Sequence, residues 1–192
     1  MENSIELEYR ACISEEDFLR LREFLSENGR TIGNDNKDTY FFIWSDKVIK
    51  VVFNKESGKA KISLKPGRIG EQSHFNEIEL KIDANEAEKA VELFKILNPE
   101  DIQFVYQFRT NYEYKGIEIA LKYTRSWGFH LELEIMLTDL DEKDAATNKI
   151  LEVADELGLR IMENSELAEY TAKIDSGYNF GSYSKEEFPY NN

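Results

Sequence analysis

The stretch Glu6-Leu7-Glu8-Tyr9-Arg10 lies almost at the start of the chain. Because the side chains of a β-strand alternate between its two faces, its first, third and fifth side chains point one way. Two carboxylates beside a guanidinium make a poor surface for a hydrophobic core, but a suitable one for a metal ion and an anion. The same arrangement returns at His130-Leu131-Glu132-Leu133-Glu134. Two distant strands with paired glutamates indicate a shared charged interior.

The composition is that of one soluble globular domain, with 192 residues, 41% of them hydrophobic and 32% charged. No apolar run approaches the ~20 residues that span a bilayer, and the first residues do not resemble a secretion signal. The formal charge of −14 argues against binding to DNA, RNA or anionic membranes, since these require a basic surface. Cys12 is the one cysteine of the sequence, which excludes an intrachain disulfide and fits a reducing cytoplasm.

Alternating and hairpin patterns predict eight strands, most of them joined by hairpins. They cover residues 4–12, 38–44, 47–53, 59–65, 74–82, 103–112, 117–124 and 129–137. Three helices are predicted, after Ser14, after Asn85 and over residues 144–157. Few helices among many hairpins indicate an antiparallel α+β fold. Residues 1–174 are expected to form one tunnel domain, and residues 175–192, rich in Tyr, Ser, Gly and Asn, a flexible tail.

Charged side chains share one face on six of these strands. A closed eight-stranded antiparallel barrel with its helices packed outside would gather them in its lumen. The lumen would contain Glu6, Glu8, Glu77, Glu79, Glu132 and Glu134 with Arg10, Lys50, Lys61, Lys65, Arg109 and Lys122. So many charges are costly away from water unless they pair with one another, with metal ions or with a multiply charged ligand. For any single strand, a solvated polar face is the simpler interpretation.

In the order of these charged positions along its strands, the chain resembles the triphosphate tunnel metalloenzymes, also called the CYTH superfamily. That superfamily contains inorganic triphosphatases, thiamine triphosphatases and class IV adenylate cyclases. The resemblance covers about residues 3–170 and rests on Glu6, Glu8, Arg10, Asp38–Phe41, Lys50, Lys65, Glu77, Glu79, Arg109 and Gly128–Glu134. The chain departs from the family pattern where Val52, Phe75 and Gln107 replace cations and Lys122 replaces an acid.

The resemblance implies a triphosphate held by Arg and Lys and divalent cations bound by glutamates. Mg²⁺ or Mn²⁺ is the expected cofactor, because these ions favour carboxylate oxygens and bridge phosphate oxygens. The expected metal ligands, direct or through water, are Glu6, Glu8, Glu132 and Glu134, and the expected substrate-binding residues are Arg10, Lys50, Lys65 and Arg109. The alternative for the four glutamates is a network of internal salt bridges.

The direction of the Lys122 side chain bears on the metal site. If it points into the lumen, its ammonium takes space that a metal would otherwise fill and pairs with Glu132 or Glu134. If the alignment slips by one residue, Lys122 points outward. The sequence leaves both possibilities open.

Three functions remain open at this stage. The leading hypothesis is a metal-dependent hydrolase of inorganic triphosphate or an organic triphosphate. The second is cyclisation of ATP to cyclic AMP, for which no set of adenine-binding residues can be identified. The third is a non-catalytic protein that binds a phosphorylated or carboxylated anion, an idea motivated by the departures at Val52, Phe75, Gln107 and Lys122. The expected partner is a small molecule rather than nucleic acid or a membrane, and the oligomeric state is open.

Overall fold

The computed structural model of the protein describes residues 5–54, 57–66 and 78–190, and for residues 5, 6, 65 and 66 it describes the backbone alone. These residues form an α+β fold with four α-helices and a nine-stranded antiparallel sheet. The strands are β1 Ile5–Cys12, β2 Arg30–Asn34, β3 Lys37–Ile43, β4 Lys47–Asn54, β5 Lys59–Pro66, β6 Ile78–Asp83, β7 Asp101–Tyr114, β8 Ile117–Thr124 and β9 Gly128–Leu137. The helices are α1 Glu15–Asn28, α2 Ala87–Ile96, α3 Lys143–Glu156 and α4 Asn164–Asp175.

The predicted α+β class and antiparallel strand pairing are confirmed, and closure of the strands into a barrel stays a prediction. Of the strand predicted over residues 74–82, only the part from Ile78 is described. Glu77 and Phe75, which figured in the expected lumen and in the family pattern, lie outside the described residues. The chain divides into two compact units, one formed by Met1–Asn34 with Arg109–Asn192 and the other by Asp35–Phe108.

In the first unit, β9 lies between β1 and β8, and β2 pairs with the C-terminal part of β7. One face of the central strands is apolar and fully buried, including Leu131 and Leu133 of β9. Helices α1 and α3 both contact β9, and their buried residues include Leu21 and Ile150. Because strand side chains alternate, burial of this apolar set turns the charged set of the same strands to the opposite face.

Helix α1 begins where the sequence predicts it. The Ser14 hydroxyl oxygen accepts a hydrogen bond from the backbone N–H of Asp17 at 3.0 Å, which satisfies one of the unpaired donors of the first turn. Phe18, Leu21 and Leu25 form the buried stripe of this helix, and the backbone N–H of Gly29 donates to the Leu25 carbonyl at 3.0 Å where the helix ends.

Two elements were not predicted. Strand β2 carries no apolar alternation, and its pairing with β7 shifts register next to Gly33, whose φ of +140° favours glycine. Helix α4 has Leu167, Tyr170 and Ile174 at helical spacing and a capping box formed by Glu163 and Glu166. None of its described residues is buried, so it lies at the surface with a weak apolar stripe.

Residues 176–190, in the segment for which a flexible tail was expected, contact the rest of the first unit through aromatic rings and backbone hydrogen bonds. The ring of Phe188 is buried and stacks on the ring of Tyr123 with centroids 4.6 Å apart. The backbone N–H of Gly181 donates to the Arg125 carbonyl at 2.9 Å, and a Cβ at Gly181 would lie 2.6 Å from the Tyr123 hydroxyl oxygen. The high aromatic content of this segment supplies the apolar area that holds it.

In the second unit, β3 pairs with the N-terminal part of β7 and with β4, and β5 lies between β4 and β6. Helix α2 contacts β3, β4 and β5. The hydrophobic core of this unit includes Phe42, Val51, Val91 and Phe94. Among the described residues of both units, no helix combines the length and apolar character needed to cross a lipid bilayer.

Candidate functional site

Three neighbouring strands of the first unit align their polar side chains in rows. The antiparallel register gives the rows Glu8, Glu134 and Glu118, then Arg10, Glu132 and Ala120, then Cys12, His130 and Lys122, in the strand order β1, β9, β8. Side chains directly opposite one another in such a sheet lie about 4.5–5.5 Å apart at Cβ, and like charges there repel. The row of three glutamates therefore requires nearby cations.

Glu132 is the centre of the ionic contacts. The Lys122 Nζ donates to Glu132 Oε2 at 2.7 Å, Arg10 Nε lies 3.2 Å from Oε1, and Arg109 Nη1 lies 3.5 Å from Oε2. Burial by itself would raise the pKa of Glu132, but the charges of Lys122 and Arg10 outweigh it and hold the pKa at about 2. Glu132 is therefore ionised throughout the physiological range.

The structure shows the direction of the Lys122 side chain. Its side chain is buried on the same face as Glu132 and pairs with it, so the slipped, outward alternative is wrong. Burial lowers the pKa of the Lys122 ammonium, and the charge of Glu132 opposes that shift only in part. The salt-bridge network that the sequence offered as an alternative for the glutamates is present around Glu132.

Arg10 connects Glu8 to this network. Its Nε donates to Glu8 Oε1, and its guanidinium lies over the Trp127 ring, 5.4 Å from the centroid. Burial raises the pKa of Glu8, the charge of Glu132 raises it further, and the charge of Arg10 offsets these effects only in part. A further cation beside Glu8 would therefore be favourable.

Arg109 reaches the carboxylates from β7. Its Nε donates to Asn111 Oδ1 at 2.6 Å, which orients the guanidinium. Its Nη2 lies 3.2 Å from Glu134 Oε1 and 3.6 Å from Glu118 Oε1. One guanidinium nitrogen of Arg109 thus lies near two carboxylates of the glutamate row, where its charge offsets their repulsion.

His130 lies in the next row of the sheet, between Cys12 of β1 and Lys122 of β8. Its Nδ1 lies 3.0 Å from the Gly128 carbonyl oxygen, and its ring lies beside Trp127 with centroids 5.4 Å apart. Burial first, and then the charge of Lys122, lower the pKa of His130 to about 3. The imidazole is therefore neutral at pH 7 and adds no charge to the cluster.

Three glutamates could hold a metal ion. Glu8, Glu132 and Glu134, called here the carboxylate cluster, each offer an oxygen within 4.8 Å of the others. Mg²⁺ and Mn²⁺ bind carboxylate oxygens and keep part of their water, and the cluster supplies donors of that kind. The residues present therefore fit a divalent cation. The side chain of Glu6, the fourth predicted ligand, lies outside the described residues.

Five of the eight predicted site residues come together, namely Glu8, Arg10, Arg109, Glu132 and Glu134. The predicted phosphate ligands Lys50 and Lys65 belong to the second unit. Lys50 is half-buried on β4, and the backbone of Lys65 lies opposite Val48 on β5.

Three residues of the site were missed from the sequence. Glu118 shares the face of Lys122 by simple alternation along β8, and that signal was available. Asn111, two residues after Arg109 on the same strand face, was available by the same rule. The position of Trp127 over Arg10 carries no comparable sequence signal, because Trp127 lies just before β9.

The chain is similar to several known proteins, although no family model matches it. A candidate adenylate cyclase of Methanocaldococcus jannaschii, MJ0240, is 25% identical over 129 residues, which cover 64% of this chain and 72% of that protein. The PH1012 protein of Pyrococcus horikoshii has a TM-score of 0.59 at 25% identity, over 84% of this chain and 93% of that one. HpAC1 of Hippeastrum, a candidate adenylyl cyclase described with a dominant triphosphatase activity, has a TM-score of 0.61 at 16% identity, over 96% and 100%.

MJ0240 carries the name of an adenylate cyclase, a class that belongs to the superfamily that the sequence resembles. The resemblance of the chain to that superfamily is therefore confirmed. At 16% identity, the likeness to the Hippeastrum protein shows the fold alone.

Proposed function

We propose that the protein is a metal-dependent hydrolase of inorganic triphosphate or of an organic triphosphate. The observation that carries this proposal is the convergence of the carboxylate cluster with Arg10 and Arg109 on one face of β1, β7, β8 and β9. Acids from separate strands that meet away from bulk water are costly without cations, and the same face presents two guanidiniums suited to phosphate.

The metal would be Mg²⁺ or Mn²⁺, held by Glu8, Glu132 and Glu134, with Glu6 as a further sequence-based candidate. Such an ion, when bound, offsets the negative charge of phosphate oxygens and fixes their position. The protein's own contribution is to bind and orient the phosphates. Arg10 and Arg109 contact them through planar forks, the Trp127 ring holds Arg10, and Asn111 holds Arg109. Lys50 and Lys65 remain sequence-based candidates for phosphate contacts.

The names of the similar proteins support this proposal. HpAC1 of Hippeastrum is described with a dominant triphosphatase activity. A fold shared over almost the whole of both chains is consistent with a related use of the charged face here.

Phosphate release from purified protein tests the hydrolase. The substrates are tripolyphosphate, ATP and thiamine triphosphate, each with Mg²⁺ or Mn²⁺ and with EDTA. Glu8→Gln and Glu134→Gln remove one carboxylate charge each from the cluster, and we expect each to lower release by about 10–100-fold or more.

The matched control is Glu156→Gln, because Glu156 lies on α3 and pairs with Lys115 and Tyr114 rather than with the cluster. This variant should keep wild-type phosphate release. Release by the wild-type protein that does not exceed release by Glu8→Gln and Glu134→Gln would exclude hydrolysis at this site.

A second candidate is a class IV adenylate cyclase, favoured by the similarity to MJ0240 of Methanocaldococcus jannaschii. The same incubation with ATP separates the two activities. Cyclic AMP with pyrophosphate indicates cyclisation, whereas ADP with phosphate, or AMP with pyrophosphate, indicates hydrolysis.

A third candidate, a binding protein without catalysis, is favoured by the Lys122–Glu132 contact, which places a fixed cation within the site. Calorimetry with tripolyphosphate in EDTA tests it. Tight binding without metal and without turnover supports this function, and metal-dependent turnover excludes it.

A further inference from the structure

The Lys122 ammonium occupies the inner side of the carboxylate cluster. Its Nζ lies 2.7 Å from Glu132 Oε2, and the two side chains are only 9% and 5% exposed. An ammonium is a compact charge with three donors on a flexible stem. It therefore already neutralises one oxygen of a carboxylate that the cluster would offer to a metal ion.

The charge balance of the site limits how many metal ions it can take. Among the described residues, the four carboxylates of Glu8, Glu118, Glu132 and Glu134 face three cations, which are Arg10, Arg109 and Lys122. Two divalent ions would add four positive charges to a set that carries one net negative charge. One divalent ion is a smaller excess, which the negative charge of a bound triphosphate would offset.

The three carboxylates of the cluster differ in how far they are exposed to solvent. The side chains of Glu8 and Glu134 are 25% and 14% exposed, against 5% for Glu132. They also lie opposite each other in the β1–β9 register. Mg²⁺ loses its water reluctantly and keeps several water molecules when bound. The outer pair Glu8 and Glu134 is the more accessible to a hydrated ion, whereas Lys122 already pairs with the inner carboxylate of Glu132.

We propose that Lys122 acts as an internal cation in place of a metal ion, so that the protein binds one divalent ion, on Glu8 and Glu134, and Lys122 limits its affinity. The inference rests on the proposed function for the divalent nature of the ion, and it narrows the ligands from the whole carboxylate cluster to Glu8 and Glu134. In this arrangement Lys122 is a positioning residue that fixes Glu132 and sets the charge that the ion meets.

Titration of the protein with MnCl₂ by calorimetry, without any triphosphate, tests the proposal. We expect one Mn²⁺ per wild-type chain. Lys122→Met removes the ammonium and leaves the carboxylates in excess, so it should bind Mn²⁺ about tenfold tighter or more. Lys122→Gln, which can still donate a hydrogen bond to Glu132, should change the affinity in the same direction. Lys149→Met is the matched control, because Lys149 lies on α3 and contacts the Gly116 carbonyl, and it should bind as the wild type does.

The outcomes separate this proposal from the proposed function. If both Lys122 variants bind Mn²⁺ no more tightly than the wild type does, the proposal is overturned while metal-dependent hydrolysis stands. If the wild type binds no Mn²⁺ and the variants do, Lys122 excludes the metal altogether, and both the single bound ion of this proposal and the metal-dependent hydrolase are overturned. If the variants are unfolded without metal by circular dichroism, Mn²⁺ should restore their folding, and failure to do so overturns the proposal.

Discussion

The two units contain the same ionic motif in two settings. Lys122 on β8 pairs with Glu132 on β9, and Lys61 on β5 pairs with Glu79 on β6. In both cases the glutamate lies two residues from the position directly opposite the lysine, so the pairs are diagonal neighbours of antiparallel strands. The first pair is 9% and 5% exposed and the second is 40% and 41% exposed. The same type of ion pair thus occurs at very unequal depth.

The strand neighbours explain the difference in depth. Strand β9 has a paired strand on each side, and Arg10 and Arg109 add their own contacts to Glu132. Among the described strands, β6 pairs with β5 alone. Breaking a buried ion pair leaves a charge without water, whereas an exposed pair is replaced by hydration at little cost. The same change should therefore have very different effects in the two units.

The largest expected effect is on the free energy of unfolding. Glu132→Gln leaves Lys122 and two guanidiniums without their shared carboxylate and should destabilise the protein by about 3–5 kcal/mol. Glu79→Gln in the exposed pair should cost less than about 1 kcal/mol. Urea denaturation of both variants measures this difference. Equal losses of unfolding free energy would contradict the expectation that the buried pair matters more than the exposed one.

The pH dependence of stability should report on the buried region. Burial and the charge of Lys122 hold the pKa of His130 near 3, below its ordinary value of about 6.5. As pH falls below 6.5 the unfolded chain takes up this proton first, so stability is lost progressively between pH 6.5 and 3. At pH 5 the contribution of His130 should be a loss of about 2 kcal/mol relative to pH 7.

His130→Gln removes this titrating group while keeping a hydrogen-bonding side chain. Urea denaturation at pH 7 and pH 5 should give a smaller loss for the variant than for the wild type. An equal loss in the two proteins would mean that His130 takes up its proton in the folded state.

The smallest expected effect is a difference in salt sensitivity. A double-mutant cycle with Lys61→Met and Glu79→Gln should give a coupling energy of about 0.2–1 kcal/mol at low salt, which vanishes in 1 M NaCl. The cycle with Lys122→Met and Glu132→Gln should give a larger coupling that salt barely changes, because buried pairs are poorly screened. A salt-sensitive coupling for the buried pair would place it in contact with bulk water.

Much of the charged face followed from alternation along the strands. Glu8, Arg10, Glu132 and Glu134 were predicted to point to the same side, and they lie on one face of the sheet, because a period of two fixes the face of every residue once one face is apolar. The same rule could not separate Lys122 from Lys61, which stand in equally alternating segments. Depth depends on which strands become neighbours, and that information is not local.

The elements that escaped prediction had weak or unusual patterns. Strand β2 has an apolar residue only at Ile32 and a glycine next to its register shift. Helix α4 has a regular stripe but buries none of its described residues. The segment after α4 reads as a loose tail because it is rich in small polar residues, yet its aromatic rings pack on Tyr123 and Phe18. Composition alone did not show that these rings had partners.

The pairing of β1 with β9 has a consequence for synthesis on the ribosome. Residues 13–127 separate the end of β1 from the start of β9. At bacterial to eukaryotic elongation rates, the ribosome therefore begins to synthesise β9 roughly 5–25 s after it completes β1, and the two strands cannot pair before then. The second unit is one continuous stretch, Asp35–Phe108, and its pairings can form during that interval. We expect pulse-labelled hydrogen exchange of nascent or refolding chains to show protection in β3–β5 before β1, whose pairing with β9 forms last.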